Sequence, residues 1–313
     1  MLNYEIAGDP CTGVRWSRVT TKSMATSLEE RGIFVSDRTV SRIMKQDGFQ
    51  LRMNAKQLPT VNHPDRDRQF KYIETFRDRA EHPEHLLLSL DAKSMVRLGL
   101  FRNNGKAWGQ APTLVYDHDF PSLSVGTARP YGIYDIHANK GAFFVGCSHD
   151  TPEFAVDNLV RWWRQIGQFE DPHVKEICIL VDSGGSNGYR PHAWKFFLQH
   201  RFVNVFNIVV SVAHYPSGCS KWNPIEHRLH SEVSKNCAGI PLVDMAIFLH
   251  LIRGTTTETG LTVTAEAVEK IYQTGIKVSP QQMDELNIVH GSICPQWNYT
   301  IKPQLVHTCG IIM

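Results

Sequence analysis

Ile177-Cys-Ile-Leu-Val-Asp-Ser-Gly-Gly-Ser-Asn-Gly188 is an apolar run that ends on an acid and then on a glycine-rich turn. An apolar stretch of this length predicts a strand covered on both faces. The glycines after Asp182 allow the chain to turn sharply there. A second run of the same kind, Leu86-Leu-Leu-Ser-Leu-Asp91, also ends on an acid. Between them, Tyr131-Gly-Ile-Tyr-Asp-Ile-His137 and Ala142-Phe-Phe-Val-Gly-Cys147 flank Asn139-Lys140-Gly141, which predicts a hairpin. Thr151-Pro152 starts a helix carrying Phe154, Val156, Leu159, Val160, Trp162 and Trp163 to about Ile166. Trp162 and Trp163 are expected to pack in the core, since adjacent helix positions point apart and one can be buried. Beyond Gly188 the pattern predicts a helix over about 190–200, a strand over Ile208–Val212 and a helix from Pro224.

The order β-β-β-α-β-α-β-α predicts an α/β fold, a mixed sheet with helices on both faces. That order is the one of a ribonuclease-H-like fold. Further on, Leu242 to about Arg253 reads as an apolar helix stopped at Gly254, and Ser279-Pro280-Gln281-Gln282 as a capping box that starts a short helix.

The N-terminal stretch has a different character. From Arg15 to Lys56 there are nine Lys/Arg against four Asp/Glu, while the whole chain carries only +2. Such a segment suggests contact with a polyanion. Residues 22–31 predict a short helix stopped at Gly32. A second helix is capped by Ser36 and stopped at Gly48. Val40, Ile43 and Met44 fall on one face and are expected in a core, and Arg38, Arg42 and Lys45 fall on another. Two short helices with a basic outer stripe predict a small helix-turn-helix.

With 313 residues, 42% hydrophobic and 20% charged, the chain is long enough for a sizeable core without disulfides. No apolar run approaches the ~18–20 residues of a membrane span, and no signal peptide opens the chain. The expectation is a cytoplasmic protein with no membrane partner. The seven cysteines include no Cys-x-x-Cys pair and read as small buried hydrophobes.

Three acids stand where strand ends and helix starts expose them: Asp91, Asp182 and Glu226, the last within Ser220-Lys-Trp-Asn-Pro-Ile-Glu-His-Arg. Carboxylates that converge repel one another until a cation neutralises them. Two Mg²⁺ or Mn²⁺ ions held by such a set form a clamp for in-line displacement at phosphate. Three acids among 31 do not single out a site by spacing alone. His214, Cys219, His227 and His230 match no structural zinc spacing. The glycines after Asp182 have neither Walker nor Rossmann spacing, so no nucleotide cofactor is expected.

Longer motifs separate these readings. They are His63-Pro-Asp-Arg-Asp-Arg-Gln-Phe-Lys-Tyr72, Tyr131-Gly-Ile-Tyr-Asp135, His149-Asp-Thr-Pro-Glu-Phe-Ala-Val156, Val181-Asp-Ser-Gly-Gly-Ser-Asn-Gly-Tyr-Arg190, Ser220-Lys-Trp-Asn-Pro-Ile-Glu-His-Arg-Leu229 and Trp297-Asn-Tyr-Thr-Ile301. In these runs the chain resembles the DDE transposases of bacterial insertion sequences. More closely it resembles the ISAzo-thirteen family, also called Rhodopirellula-type transposases. The resemblance implies a ribonuclease-H-like DDE core with Asp91, Asp182 and Glu226 as catalytic and metal-binding triad. It implies hydrolysis of a DNA phosphodiester at an element end and transfer of the freed 3′-hydroxyl to target DNA. The implied partners are element ends, target DNA and a second copy of the chain on paired ends, in the bacterial nucleoid. DNA contacts are expected from Arg38, Arg42 and Lys45, from Lys93, Asn187 and Arg190, and from Lys221, Trp222, His227 and Arg228. His227 is also a candidate to orient Glu226.

The resulting organisation is a residual linker over 1–14, the helix-turn-helix over 15–56 and a linker helix over 57–84. The catalytic core follows over 85–240, then a helical extension over 241–313. Members of the family carry a further N-terminal module, so the resemblance implies a truncated copy. After Asp91 the run Ala92-Lys-Ser-Met-Val-Arg97 has fewer charges than the family pattern. The alternatives are a Mg²⁺-dependent nuclease of the same fold and a non-catalytic DNA-binding remnant. A decayed remnant should have lost an acid, and all three are present.

Overall fold

In a computed structural model of the chain, the two apolar runs that end on acids become neighbouring parallel strands. The structure describes residues 7–8, 15–16, 19–51 and 63–304, and the start of the expected linker helix over 57–84 and most of the expected linker over 1–14 lie outside these. The chain divides into two units, Met1–Leu58 and Pro59–Met313.

In the first unit, β1 (Ala7–Gly8) pairs antiparallel with β2 (Arg15–Trp16). Helix α1 (Thr21–Glu29) is capped by the Thr20 hydroxyl, which accepts from the Ser23 N–H. Helix α2 (Asp37–Gln46) is capped by Ser36, which accepts from Thr39 N–H, and carries Asp37 in its first turn and Lys45 in its last. Both charges suit the helix dipole. Met24 and Val40 are buried, but Ile43 is 44% exposed, against the expected apolar face. The stripe that places Ile43 in a core is wider than the seam two short helices can close.

In the second unit, nine strands form one mixed sheet among the described residues. At its centre lies β3 (His85–Ala92). On one side β5 (Gly126–Asp135) pairs antiparallel with β3, and β6 (Lys140–Gly146) antiparallel with β5. On the other side β7 (Glu176–Val181) and β8 (Val209–His214) run parallel to β3. A short β4 (Val96–Leu98) pairs with β5. The order β6-β5-β3-β7-β8, with the first pairings antiparallel and the next parallel, is the ribonuclease-H-like sheet.

Both faces are covered, as the apolar runs require. Leu88, Leu90, Ile177 and Ile179 pack against Phe154, Leu159, Trp194 and Leu198. The last four come from α4 (Pro152–Trp162) and α6 (His192–Phe197) with its continuation. Helix α4 runs through a π-helical turn into α5 (Gln168–Glu170), and α6 through another into α7 (Asn204–Phe206). Trp162 and Trp163 are both buried, as expected, the second at the start of the π-helical turn. On the other face, Ile225, Leu229, Phe248 and Ile252 form a second core with Tyr134 and Phe143, carried by α8 (Ser231–Cys237), the turn before it, and α9 (Met245–Arg253).

Two expected boundaries move. Helix α3 (Arg66–Arg79) is no linker. Ile73, Phe76 and Ala80 pack on Leu87, Cys178 and Leu180. The C-terminal part is not a helical extension either. Besides α9 and the capped α10 (Pro280–Asp284), it supplies β9 (Thr262–Val268) beside β6 and β11 (Asn298–Ile301) beside β8. Beyond β11 lies β10 (Ile288–His290). β9 and β10 are the edges of the sheet and β11 lies between β10 and β8; the partners of these strands are set by long-range pairing and not by local periodicity. Among the described cysteines none is in a disulfide, and Cys147 alone is exposed. No described helix is long and apolar enough to cross a membrane.

Candidate active site

Parallel register puts Leu90 beside Val181. Asp91, still paired with Gly132 of β5, and Asp182, just past the end of β7, therefore stand at the same end of the sheet. Glu226 approaches from a third element, the start of the π-helical turn Glu226–His230. The three carboxylates line one cleft of about 440 Å³, together with Asp150, Ser186 and Asn187.

Each acid has its own support. Burial, then the neighbouring carboxylates of Asp182 and Glu226, push Asp91 up to about 8. Burial raises Asp182 to about 6, against the pull of a hydrogen bond from Asn223. The Asn223 Nδ2 donates to Asp182 Oδ1 at 3.0 Å, and its Oδ1 accepts from the Ser89 hydroxyl of β3. Ser89 Oγ in turn accepts the Ile225 N–H at 3.2 Å. One buried amide thus ties β3, β7 and the Glu226 turn together. The backbone carbonyl of Asp182 accepts from His214 Nδ1 at 2.9 Å. His214 Nε2 accepts from the Tyr299 hydroxyl at 3.3 Å, and that oxygen accepts from Trp194 Nε1 at 2.9 Å. Complete burial lowers His214 to about 3, so it is the neutral Nδ1–H form.

Glu226 is held below its ordinary range, chiefly by the His230 imidazole facing it. His230 Nδ1 lies 3.8 Å from Asp91 Oδ2 and 3.8 Å from Glu226 Oε2. Ligand atoms of Asp91, Glu226 and His230 lie within 4.8 Å of one another, the one such group among the described residues. The donor set, with Asp182 at its side, fits a hard divalent cation, which takes carboxylate oxygens. The mutual repulsion that raises Asp91 is what such a cation relieves.

The family described as "Rhodopirellula transposase DDE domain" matches residues 1–303. The chain belongs to this family. No curated protein matches it. Among solved structures it is similar to the Mos1 transposase paired-end complex with left transposon end, at 14% identity and a TM-score of 0.45. It is also similar to the Mos1 mariner paired-end complex with Mn, at 14% identity and 0.43. In both cases the match covers 73% of this chain and spans 64% of the Mos1 chain.

Not every residue expected at the site reaches it. Lys93 does: it is half-buried, its Nζ donates to Ser234 Oγ at 2.7 Å, and Glu226 and Asp91 act on its charge. Asn187 lines the cleft but is 2% exposed. Its amide donates to Leu90 O at 3.3 Å and Tyr131 Oη at 3.1 Å, so it braces the turn over β3 and is not free for a phosphate. Gly185 takes φ +81°, the left-handed conformation the glycine turn predicts. His227 is exposed and bonded to the Lys221 carbonyl, so it does not orient Glu226. His230 faces Glu226 instead. The signal was present: i, i+4 shares a helix face, whereas i, i+1 does not. Arg190 is exposed, with its guanidinium 5.3 Å from the Tyr189 ring. Lys221 lies 5.5 Å over the ring of Trp222, which is 52% exposed, and Arg228 is exposed. In the first unit, Arg38, Arg42 and Lys45 are exposed around one hollow on α2. The residues weighed for zinc do not assemble: His214 is used up in the Asp182 network, and Cys219 is buried in the α3 core.

Proposed function

We propose that the chain is a DDE transposase that hydrolyses a DNA phosphodiester at an element end and transfers the freed 3′-hydroxyl to target DNA. The observation that carries this reading is the convergence of Asp91, Asp182 and Glu226 in one cleft, with Asp91 raised to about 8 by burial and its neighbours. Asp91, Asp182 and Glu226 would hold two divalent cations, Mg²⁺ or Mn²⁺. When bound, these supply charge neutralisation at the phosphate and a lower proton affinity for the attacking hydroxyl or water.

The chain's own residues do the rest. Asn223 keeps one Asp182 oxygen aligned, leaving the other toward the cleft. Lys93 places positive charge beside the acids, where a scissile phosphate would lie. Lys221, Trp222, Arg228 and Arg190 offer exposed cations and one aromatic face for a DNA backbone and an unpaired base. Arg38, Arg42 and Lys45 would grip phosphates from the helix pair. Joining two ends requires two such sites, hence two copies of the chain on paired ends.

Nicking of supercoiled plasmid in Mg²⁺ or Mn²⁺, compared between the parent and Asp182→Asn, tests the assignment. Metal-dependent nicking that disappears in the variant is the expected result. Nicking that survives the substitution refutes the triad. DNA binding without nicking in the parent favours the non-catalytic remnant.

A further inference from the structure

We infer that His230 is a positioning residue that donates its Nδ1–H to Glu226 and Asp91 and stays outside the metal's ligand set. This rests on the metal site proposed above. The imidazole is 3% exposed and packs on the Phe143 ring at 5.6 Å. Its Nδ1 faces two carboxylate oxygens at 3.8 Å each. That spacing is too long for a hydrogen bond and too short for an intervening water, so a small rotation closes it onto either acid. A lone pair there would face the ionised Glu226 oxygen, whereas an N–H is attracted to it and can also be accepted by the Asp91 carboxyl.

The opposite edge of the ring decides the tautomer independently. His230 Nε2 is buried with no hydrogen-bond partner. It lies against the bare backbone of Gly132, where a Cβ would fall 2.8 Å from Nε2, 3.0 Å from Ile225 Cδ1 and 3.4 Å from Phe143 Cε1. Gly132 is the residue that pairs with Asp91 across β3 and β5. Strand register therefore places the slot for the imidazole directly beside the first acid. A metal-bound histidine normally donates its second ring N–H to an acceptor. Here ligation through Nδ1 would leave Nε2–H facing Ile225 and Phe143 with none. A proton on Nδ1 leaves only a lone pair in that slot. Mg²⁺ and Mn²⁺ then see oxygen ligands alone.

Three measurements test this. Nitrogen-15 spectra of histidine-labelled, metal-free protein, with His230 assigned by its loss in His230→Asn, should show the proton on Nδ1. A proton on Nε2 alone overturns the inference. Electron spin-echo modulation of the Mn²⁺-loaded protein should show no directly coordinated imidazole nitrogen, and a coupling that vanishes in His230→Asn overturns it. By calorimetry, His230→Phe should weaken Mn²⁺ binding ~10–100-fold, while His230→Asn, whose amide N–H replaces Nδ1–H, should stay within about 3-fold. Unchanged Mn²⁺ binding in a folded His230→Phe overturns the positioning role. A parent that binds no Mn²⁺ refutes the metal site itself, and the metal-free spectrum still decides His230.

Discussion

Asp91→Asn should stabilise the metal-free protein at pH 8 while abolishing its activity. The Asp91 carboxyl is raised from 3.8 to about 8 by burial and two neighbouring acids. Its side chain is only 16% exposed, so solvent does little to screen it. A group raised in the folded state stabilises fully below its unfolded value, and that contribution is lost as pH rises through the folded value. The window here is pH 4 to 8, with stability falling toward pH 8. At about 1.4 kcal/mol for each tenfold change in proton affinity, the full cost by pH 8 is roughly 5 kcal/mol. Readjustment of Glu226 and Asp182 brings the realised figure to about 2–4 kcal/mol, or roughly 5–15 °C in Tm for a unit of this size. Asparagine mimics the neutral acid at every pH. The difference between the two proteins should be near zero at pH 4 and largest at pH 8. His214, held neutral and lowered to about 3, acts in the opposite direction by costing stability as pH falls. It is common to both proteins and cancels in the comparison. Thermal melts in EDTA from pH 4 to 8.5 measure this. Mg²⁺ at pH 8 should raise the Tm of the parent and leave the variant unmoved. A variant no more stable than the parent at pH 8 would falsify the picture of mutually repelling acids.

Other substitutions probe the supports. Asn223→Leu removes the donor to Asp182 and leaves Ser89 without its acceptor, so stability should fall by about 1–3 kcal/mol. The acid limb of the pH–rate profile should also move upward, and an unmoved limb shows that Asn223 does not tune Asp182. Gly132→Ala drives a methyl to 2.8 Å from His230 Nε2, and should cost about 1–3 kcal/mol in melts and most of the nicking activity. Replacing Arg38, Arg42 and Lys45 together by alanine should reduce the salt dependence of DNA binding by about 2–3 in log–log slope, at roughly 0.9 per phosphate contact. An unchanged slope in fluorescence anisotropy places DNA elsewhere.

What the sequence made legible is what local pattern determines. Leu86–Asp91 and Ile177–Asp182 are buried on both faces, so each reads as a strand without reference to the rest of the chain. Their acids stand out because a carboxylate closing an apolar run is costly without a partner. Helix caps at Ser36, Thr151 and Ser279 are equally local, and all three accept the expected backbone N–H. The supports of the site are not local. Asn223 acts on Asp182 across 41 positions and on Ser89 across 134. His230 has meaning only once Gly132 is opposite Asp91, a matter of strand register. Asn187 read as a free amide because nothing in Gly-Gly-Ser-Asn-Gly shows that the turn folds back onto Leu90.

Strand β11 illustrates why the last part of the sheet belongs with the active site. Asn298 and Tyr299 open this strand, and each takes part in the hydrogen bonds around His214. Gln69 of α3 donates to the His214 carbonyl at 2.8 Å and to Asn298 Oδ1 at 2.7 Å, and Asn298 returns a bond to Gln69 Oε1 at 2.7 Å. Tyr299 supplies the hydroxyl that sets the His214 tautomer. His214 then fixes the Asp182 carbonyl. Every member is buried, so an unmade bond in this chain costs more than the bond itself contributes. The network is thus a rigid mount: it holds the backbone of Asp182 while leaving its carboxylate to answer only to Asn223, the neighbouring acids and whatever cation they share. A metal site whose ligands repel in the empty state needs such a mount, because without it the acids would relax apart and lose the geometry that makes them bind.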